Sequence, residues 1–329
     1  MCCGYTMNNL IKKEGFKHLK IKDLQKEAIY YAKQSVAENT KRAYTADWSA
    51  FISFCKEYDV NALPASYENI AHFLVREART LKHSTLQRRL GVIRTYHRLK
   101  GHYLDPHHPV LETVWRGIKR VKGTKTESKE AIWTSDLKKF IDELEYHSIG
   151  NIRDRAVLLF GFLSAQRREN IAEVRVEDLT WSPQGIIWKM PKSKTDQSGE
   201  GKLIPIPYMR TPKYCAVTQL DNWLRVSGIK EGYVFRRIFK NNAVNEKDQP
   251  ICGATVNGIV KRTAKLAGYN PEKFGGHSLR IGFISQTRNT NAPDHTIMKV
   301  TGHRDTRMID HYAQEGNIFQ NLATHKLRL

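Results

Sequence analysis

From about Ile21 to Lys122 the sequence has the periodicity of helices joined by short connections, with almost no strand pattern between them. The segment from Asn39 to Cys55 begins with a good helix cap at Asn39 and Thr40. Its inward positions at helical spacing are Tyr44, Trp48, Phe51, Ile52 and Cys55. This pattern predicts a helical amino-terminal domain whose aromatic residues form its core.

Two more segments of this region predict helices with a defined inner face. Ser66 is a typical helix cap, and it is followed by Ile70, Phe73 and Leu74 on one side. The segment from Ser84 to Arg98 has an apolar stripe made of Leu86, Leu90, Ile93 and His97. Arg88, Arg94 and Arg98 lie off that stripe. Such a basic face is either solvated or in contact with DNA, and the pattern leaves both open.

A polar stretch without periodicity separates this region from the rest of the chain. With 329 residues the chain exceeds a typical single core. We therefore expect a flexible leader over residues 1–20, a helical domain over 21–123, a linker over 124–131 and a second domain over 132–329.

The second domain is predicted to mix helices with a small antiparallel sheet. A helix cap at Thr134 to Asp136 and a buried helix from Asp154 to Leu163 come first. Two strands follow, Ile186 to Met190 and Leu203 to Ile206, around a hairpin tip. Helices are expected from about Ala216 to the end. The fold class is therefore mostly α, with a helical domain followed by an α+β domain.

The charge balance indicates the kind of partner. Lys and Arg number 54 against 33 Asp and Glu, a net charge of +21, and the basic residues are spread along the whole length. Such an excess of positive charge favours a polyanion as the binding partner. The spread of the basic residues favours a protein that wraps around DNA. No stretch approaches the roughly 18 apolar residues of a spanning helix.

The five cysteines, an odd number without C-x-x-C spacing, support neither a disulfide framework nor a zinc site. We expect a reducing compartment: the cytoplasm with its nucleoid, or the host nucleus if the chain belongs to a viral or eukaryotic element.

Near the carboxyl end, basic groups and a phenol lie within a short stretch of sequence. The stretch contains Gly276-His277-Ser278-Leu279-Arg280, then Gly302-His303, then Tyr312. A tyrosine hydroxyl titrates near pH 10, so it needs a cation or a base nearby to act as a nucleophile. An isolated H-x-x-R pair on a helix is more often solvated or salt-bridged. Arg167, after an apolar helix, and Lys194, on the predicted hairpin, extend the set and favour chemistry on phosphate.

This ordered set resembles the tyrosine recombinases, or phage-type integrases. One part of the resemblance is the family's first-arginine box, which matches Arg153 to Phe162, Arg167 and Val174 to Leu179. A second part is the order of H-x-x-R, G-H and Tyr. A third is the similarity of Asn39 to Cys55 to the family's core-binding domain. Cre-like simple recombinases are the most similar members. The resemblance implies two domains that clamp around DNA, the second of them catalytic.

The resemblance implies a separate role for each residue of the site. Tyr312 would attack a phosphodiester to give a 3′-phosphotyrosine, while Arg167 and Arg280 hold the phosphate oxygens. Lys194 would protonate the leaving 5′ oxygen, and His277 and His303 would support the phosphate and the proton transfers. Arg168 remains a rival for Arg167, and Lys192 for Lys194. The position three after Arg167, usually acidic in the family, is Asn170, with Glu169 beside it.

The implied activity is site-specific recombination through a Holliday junction, without ATP, metal or another cofactor. A type IB topoisomerase and an inactive DNA-binding protein on the same scaffold are the alternatives. The implied partners are double-stranded DNA and other copies of the chain, as a dimer on each site and a tetramer on two. The resemblance implies that a carboxyl-terminal helix passes to a neighbouring protomer, and we expect Asn317 to Lys326 to be that helix. A helix folded back on its own domain is the alternative. The residues expected to contact DNA are Thr40, Lys41, Arg42, Ser84, Thr85, Arg88, Arg94 and Arg98.

Overall fold

The computed structural model describes residues 21–34, 36, 38–124, 128–191, 201–303, 305–307 and 309. Several predicted features lie outside these ranges: the leader, Lys192, Lys194, Tyr312 and the carboxyl-terminal helix. The chain divides into two compact units, Met1–Glu127 and Ser128–Leu329. The division falls inside the stretch that the sequence predicts as a linker.

The first unit consists of helices in its described part. They are α1 (Ile21–Gln34), α2 (Glu38–Glu57), α3 (Tyr67–Ala78), α4 (His83–Leu99) and α5 (Pro109–Lys122). Its core contains Phe51, Phe54, Ile70, Phe73, Leu74, Leu86, Leu90, Ile93 and Leu111. Aromatic residues of α2 pack there, and Phe51 meets Phe73 edge to face with ring centroids 5.1 Å apart. The predicted helices are confirmed in this unit.

The helix boundaries follow from local hydrogen bonds, and one prediction is corrected. Ser66 accepts a bond from the Asn69 amide at 3.2 Å, so it caps α3 as predicted. The start of α2 differs, because the helix begins at Glu38. Asn39 and Thr40 therefore lie in its first turn instead of capping it. An acidic residue at that first position is favourable to the helix dipole.

The second unit is built around α7 (Ile149–Ser164), which is buried along nearly its whole length. The other helices are α6 (Thr134–Asp142), α8 (Arg168–Ala172), α9 (Ala216–Ser227), α10 (Gly253–Leu266), α11 (Gly276–Asn289) and α12 (Asp294–Thr301). α7 is buried on all sides because α9, α11 and the sheet pack against it.

The sheet has three antiparallel strands in the order of the chain: β1 (Leu179–Ser182), β2 (Gly185–Met190) and β3 (Lys202–Pro207). Ile186 and Trp188 of β2 face the core and alternate with exposed residues, which is the pattern of a half-buried strand. Met190 at the end of β2 pairs with Lys202 at the start of β3. The prediction of two strands is corrected, since β1 was missed: with four residues it is too short for its alternation to stand out.

The expectation of helices from Ala216 to the end is also wrong in part. Between α9 and α10 the backbone is irregular and carries isolated bridges, such as Arg236 with Pro250 and Ile238 with Val244. Arg236 holds this segment by donating to the carbonyl oxygens of Tyr233, Glu231 and Glu246. Bonds from one side chain to three carbonyl groups of an irregular segment leave no periodic signal in the sequence.

A close contact fixes the position of α11. A Cβ atom on Gly282 would lie 1.9 Å from the carbonyl oxygen of Ile132, a separation that no side chain tolerates. The Ile132 amide donates to the Ser278 carbonyl at 3.3 Å in the same contact. Glycine at 282 therefore lets the segment before α6 lie directly on α11, the helix that carries His277 and Arg280.

Candidate active site

Four of the predicted catalytic residues lie in described parts of the second unit, on three different elements. Arg167 is the residue before α8, and the preceding turn bends through Ala165 in the left-handed conformation. His277 and Arg280 are on α11, which begins after Gly275. His303 follows α12, which is capped by Gly302 with φ of 76°. The glycine allows the chain to reverse direction there.

Arg280 is the buried centre of this group, with 1% of its surface exposed. Its Nη1 atom donates to the Ala165 carbonyl at 2.7 Å and to the Thr301 carbonyl at 2.8 Å. Its Nη2 atom lies 2.9 Å from Nε2 of His303. One guanidinium thus joins the end of α7 to the end of α12 and holds the imidazole of His303.

The hydrogen bonds of His303 define its tautomer. Arg280 can only donate, so Nε2 of His303 accepts, and the ring proton is on Nδ1. Nδ1 lies 2.9 Å from the Thr301 hydroxyl, which in turn donates to the Ile297 carbonyl at 2.9 Å. Burial, then the charges of Arg280 and Arg167, lower the pKa of His303 to about 4. His303 is therefore neutral near pH 7.

His277 is in the first turn of α11 and reaches the surface, whereas Arg280 one turn later is buried. The two share a side of the helix, as their spacing predicts, but lie at different depths. Loss of hydration, then the charges of Arg280 and Arg167, lower the pKa of His277. A neutral imidazole at the surface beside two guanidinium groups can accept a proton from a bound group.

The environments of Arg167 and Arg168 differ. The charge of Arg167 acts on both His277 and His303. Arg168 acts on His277 and forms an exposed ion pair with Glu169 at 2.8 Å. Its stem also packs on Gly276, where an added Cβ would lie 2.9 Å from Cβ of Arg168. This arrangement favours Arg167 as the group that faces the centre.

Asn170 does not occupy a charged position behind the arginines. Its Nδ2 atom contacts Sδ of Met190 at 3.4 Å, so it joins α8 to the end of β2. Glu169 pairs with Arg168 rather than with Arg167. The contacts of these two residues therefore link α8 to its surroundings and provide no carboxylate bonded to Arg167 among those in the described ranges.

Lys202 belongs to this group, and sequence reasoning missed it. Its Nζ atom donates to the Val300 carbonyl at 2.9 Å, just before the turn that leads to His303. Burial, then the charge of Arg280, lower the pKa of Lys202 to about 8. The signal available in the sequence is a lysine at the first position of the strand that leaves the predicted hairpin. The family resemblance pointed to Lys194 and Lys192 instead.

Lys194 and its rival Lys192 lie between Met190 and Lys202, outside the described residues, as does Tyr312. The order of the chain alone therefore links them to the site. Within the described ranges, no group of three or more His, Cys, Asp or Glu is arranged to hold a metal ion. Over the same part of the chain, no helix is long and apolar enough to cross a membrane.

The residues predicted to contact DNA are on α2 and α4 of the first unit, in different surroundings. Arg88 forms a two-pronged bond to the buried carboxylate of Asp47, at 2.7 and 3.1 Å. Arg94 is half-buried and donates to the Pro106 carbonyl at 3.3 Å. Arg98 is exposed, and Lys41 forms an ion pair with Glu38 at 3.5 Å. Thr40, Arg42, Ser84 and Thr85 complete this set, with Arg42 and Ser84 exposed.

Comparison with known proteins places this chain among recombinases. The model of the phage integrase family matches residues 131–317. An integrase/recombinase XerD homolog of Selenomonas ruminantium is 35% identical over 298 residues, which cover 89% of this chain and 86% of that protein. The recombinase Cre of Escherichia phage P1 is 23% identical over 302 residues, 86% of each chain.

A solved structure with a similar fold is a lambda integrase dimer bound to a COC′ core site. It superposes with a TM-score of 0.62 at 15% sequence identity and covers 96% of this chain and 86% of that one. At that identity the likeness concerns the fold, which is mostly helical with a small antiparallel sheet.

Proposed function

Because this chain belongs to the phage integrase family of tyrosine recombinases, we propose that it is a site-specific DNA recombinase that cuts and rejoins DNA through a 3′-phosphotyrosine on Tyr312. The observation that carries the proposal is the site of Arg167, His277, Arg280 and His303, drawn together from three elements. Two guanidinium groups and two imidazoles with lowered pKa suit a phosphodiester, which brings the negative charge that the cluster lacks.

The arginines would stabilise the charge that develops on the phosphate. In the pentavalent transition state the non-bridging oxygens carry more negative charge than in the ground state. Arg280 is already fixed by two carbonyl groups, so it loses little freedom when it meets the phosphate. Arg167 would bind from the start of α8. Fixed donors of this kind make the largest contribution to such reactions.

The proton transfers can be assigned to named groups. The oxygen of Tyr312 forms a bond to phosphorus and gives its proton to neutral His277. The bond between phosphorus and the 5′ oxygen breaks, and that oxygen takes a proton from the hairpin lysine, Lys194 or its rival Lys192. Attack by a 5′ hydroxyl reverses these steps. The bond energy is kept in the phosphotyrosine, so the exchange needs no ATP.

Recombination requires two duplexes, so we propose that the chain binds each DNA site as a dimer and joins two sites as a tetramer. The net charge of +21 supports a duplex partner. Strand exchange would proceed through a Holliday junction. Passage of the segment Asn317 to Lys326 to a neighbouring protomer is part of the same proposal.

The test uses duplex DNA of random sequence, nicked lightly by a nuclease. Where a nick lies close to a cleavage point, the short fragment with the 5′ hydroxyl diffuses away and the covalent complex accumulates. We expect the wild-type protein to form an adduct that survives denaturation, and Tyr312→Phe to form none. The adduct should block a 3′→5′ exonuclease and leave the 5′ end open to digestion. Sequencing of the attached strands then gives the preferred site.

Three results would contradict the proposal. An adduct with Tyr312→Phe would exclude this nucleophile. Binding without any wild-type adduct would favour an inactive DNA-binding protein. Relaxation of supercoiled plasmid, with adducts scattered without sequence preference, would favour a type IB topoisomerase. Lys213→Met serves as the matched control, because Lys213 is engaged with Asp142 on the surface at 2.5 Å.

A further inference from the structure

Lys202 lies against the turn that carries His303. Its Nζ atom donates to the carbonyl oxygen of Val300 at 2.9 Å. A Cβ on Gly302 would sit 3.1 Å from the same Nζ atom, closer than nearly all real contacts of that kind. Gly302 has a φ of 76°, so glycine both permits the turn and leaves room for the ammonium group.

Three side chains hold this turn from three directions. The Val300 carbonyl accepts a second bond from Nε2 of Gln166 at 2.8 Å, and the next carbonyl, of Thr301, accepts from Arg280 at 2.8 Å. Gln166 comes from the turn between α7 and α8, and Arg280 comes from α11. Lys202 comes from β3 and connects the sheet to the turn. The position of His303 thus depends on a contact with the sheet.

The ammonium of Lys202 is in unfavourable surroundings. Among the described residues, no carboxylate lies within ion-pair distance of it. The charge of Arg280 is close enough to lower the pKa of Lys202, and the charge of Lys202 is close enough to lower the pKa of His303. A half-buried cation beside another cation costs free energy. A neutral side chain could donate the same hydrogen bond to the Val300 carbonyl without the free-energy cost of burying a charge. Stability alone therefore does not explain a lysine at this position.

We propose that Lys202 is a positioning residue for DNA cleavage, which acts by holding the Val300 carbonyl so that His303 stays against Arg280. This role is separate from that of the hairpin lysine, which would protonate the leaving oxygen. Its catalytic consequence rests on the proposed function, whereas the effect on His303 is a property of the folded protein alone.

The charge of Lys202 supports the same role. The charged and titratable groups that act on His303 are Arg280, Arg167, His277 and Lys202. Each disfavours a second proton on the ring, and burial does so more than any of them. A neutral His303 accepts from Arg280, whereas an imidazolium would repel it. The contribution of Lys202 to the charge of His303 is the smallest of these, and it acts in the same direction as the turn contact, which supplies the geometry.

The experiment compares Lys202→Met with Lys202→Arg in the full-length chain, with Lys213→Met as control. Methionine matches the length of the side chain and removes both the donor and the charge, and arginine keeps both. NMR titration of His303 in the free protein is the first readout. Loss of the nearby charge and of the turn contact should raise its pKa from about 4 toward 6.5, by about half a unit or more.

Single-turnover adduct formation on nicked duplex is the second readout. Lys202→Met should be slower by about ten- to a hundredfold because displacement of a catalytic group by about 1 Å has effects of that size. The acid limb of its pH–rate profile should move to higher pH as the pKa of His303 rises. The rate of Lys202→Arg should stay within about threefold of the wild-type rate, because arginine keeps a charged donor. The rate of Lys213→Met should equal the wild-type rate.

The outcomes separate the two proposals. A wild-type rate for Lys202→Met, or a slow variant whose His303 titration and acid limb are unchanged, overturns the role of Lys202. If the wild-type protein forms no adduct at all, the proposed function fails. The NMR titration still decides in that case whether Lys202 holds the turn of His303.

Discussion

Nη2 of Arg280 and Nε2 of His303 lie 2.9 Å apart, and this contact sets the charge and the tautomer of the imidazole. Because the guanidinium can only donate, the imidazole must be neutral and carry its proton on Nδ1. The pair is held by backbone carbonyls on one side and by the Thr301 hydroxyl on the other. The site is therefore already ordered around these two residues.

Arg280→Lys should abolish most of the activity although the charge is kept. A lysine ammonium is a compact donor and cannot reach Ala165, Thr301 and His303 at once. We expect adduct formation to slow by about 10²- to 10³-fold. The free energy of unfolding should also fall by about 1–3 kcal/mol for each buried carbonyl left without a donor. Arg288→Lys is the control, because Arg288 lies near the end of α11, is half-buried and pairs with Asp294 at 3.6 Å. Equal rates for both variants would disprove this.

Thr301→Val should impair the site while leaving the fold intact. Valine has the shape of threonine but removes the hydroxyl that receives Nδ1–H of His303. The imidazole then loses its tautomer preference, and we expect about a tenfold slower adduct formation, the lower end for a group in proton transfer. Thr301→Ser keeps the hydroxyl and should retain most of the rate. The expectation fails if the two variants cleave equally fast.

His97 should make the first unit sensitive to acid. Its Nε2 accepts from the Ala65 amide at 2.9 Å and its Nδ1 donates to the Ile93 carbonyl at 2.8 Å, so the buried ring is neutral. Burial lowers its pKa below the usual 6.5. The unfolded state therefore binds the extra proton first. Stability is complete above about pH 6.5 and falls as the pH drops toward the folded pKa, by at most about 1.4 kcal/mol per pH unit.

Denaturant unfolding between pH 5 and 7.5, followed by the fluorescence of Trp48, measures this dependence, because Trp48 stacks on Tyr96 with ring centroids 4.3 Å apart. His97→Gln should be less stable at pH 7 but should show a smaller dependence over this range. An identical slope in the variant would mean that other groups cause the acid sensitivity.

Arg98 and Arg94 should have different roles although both were predicted to contact DNA. Arg98 is exposed, so Arg98→Ala should remove one phosphate contact and reduce the slope of log Kobs against log salt concentration by about 0.9 on random-sequence duplex. Arg94 is half-buried on Pro106, so Arg94→Ala should lower the unfolding midpoint and leave that slope unchanged. A reversed result would place Arg94 on the DNA.

The sequence predicted the helices best where one face is clearly apolar. The stripe from Leu86 to His97 and the cap at Ser66 are both found in the structure. Local hydrogen bonding and a 3.6-residue period depend on near neighbours only, so a sequence contains them in full. Strand β1 escaped because four residues are too few for an alternation to stand out. The irregular segment between α9 and α10 escaped because its isolated bridges have no period.

For the candidate site, the chain by itself determined the types and order of the reactive groups: arginine, H-x-x-R, G-H and tyrosine. The reaction requires these residue types together, so their presence in this order indicates the family. Only the tertiary structure decided that Arg280 is buried beneath His277, that His303 is neutral and that Lys202 joins them. Depth, protonation and the meeting of β3 with the end of α12 arise from packing between distant segments, and no local pattern contains that information.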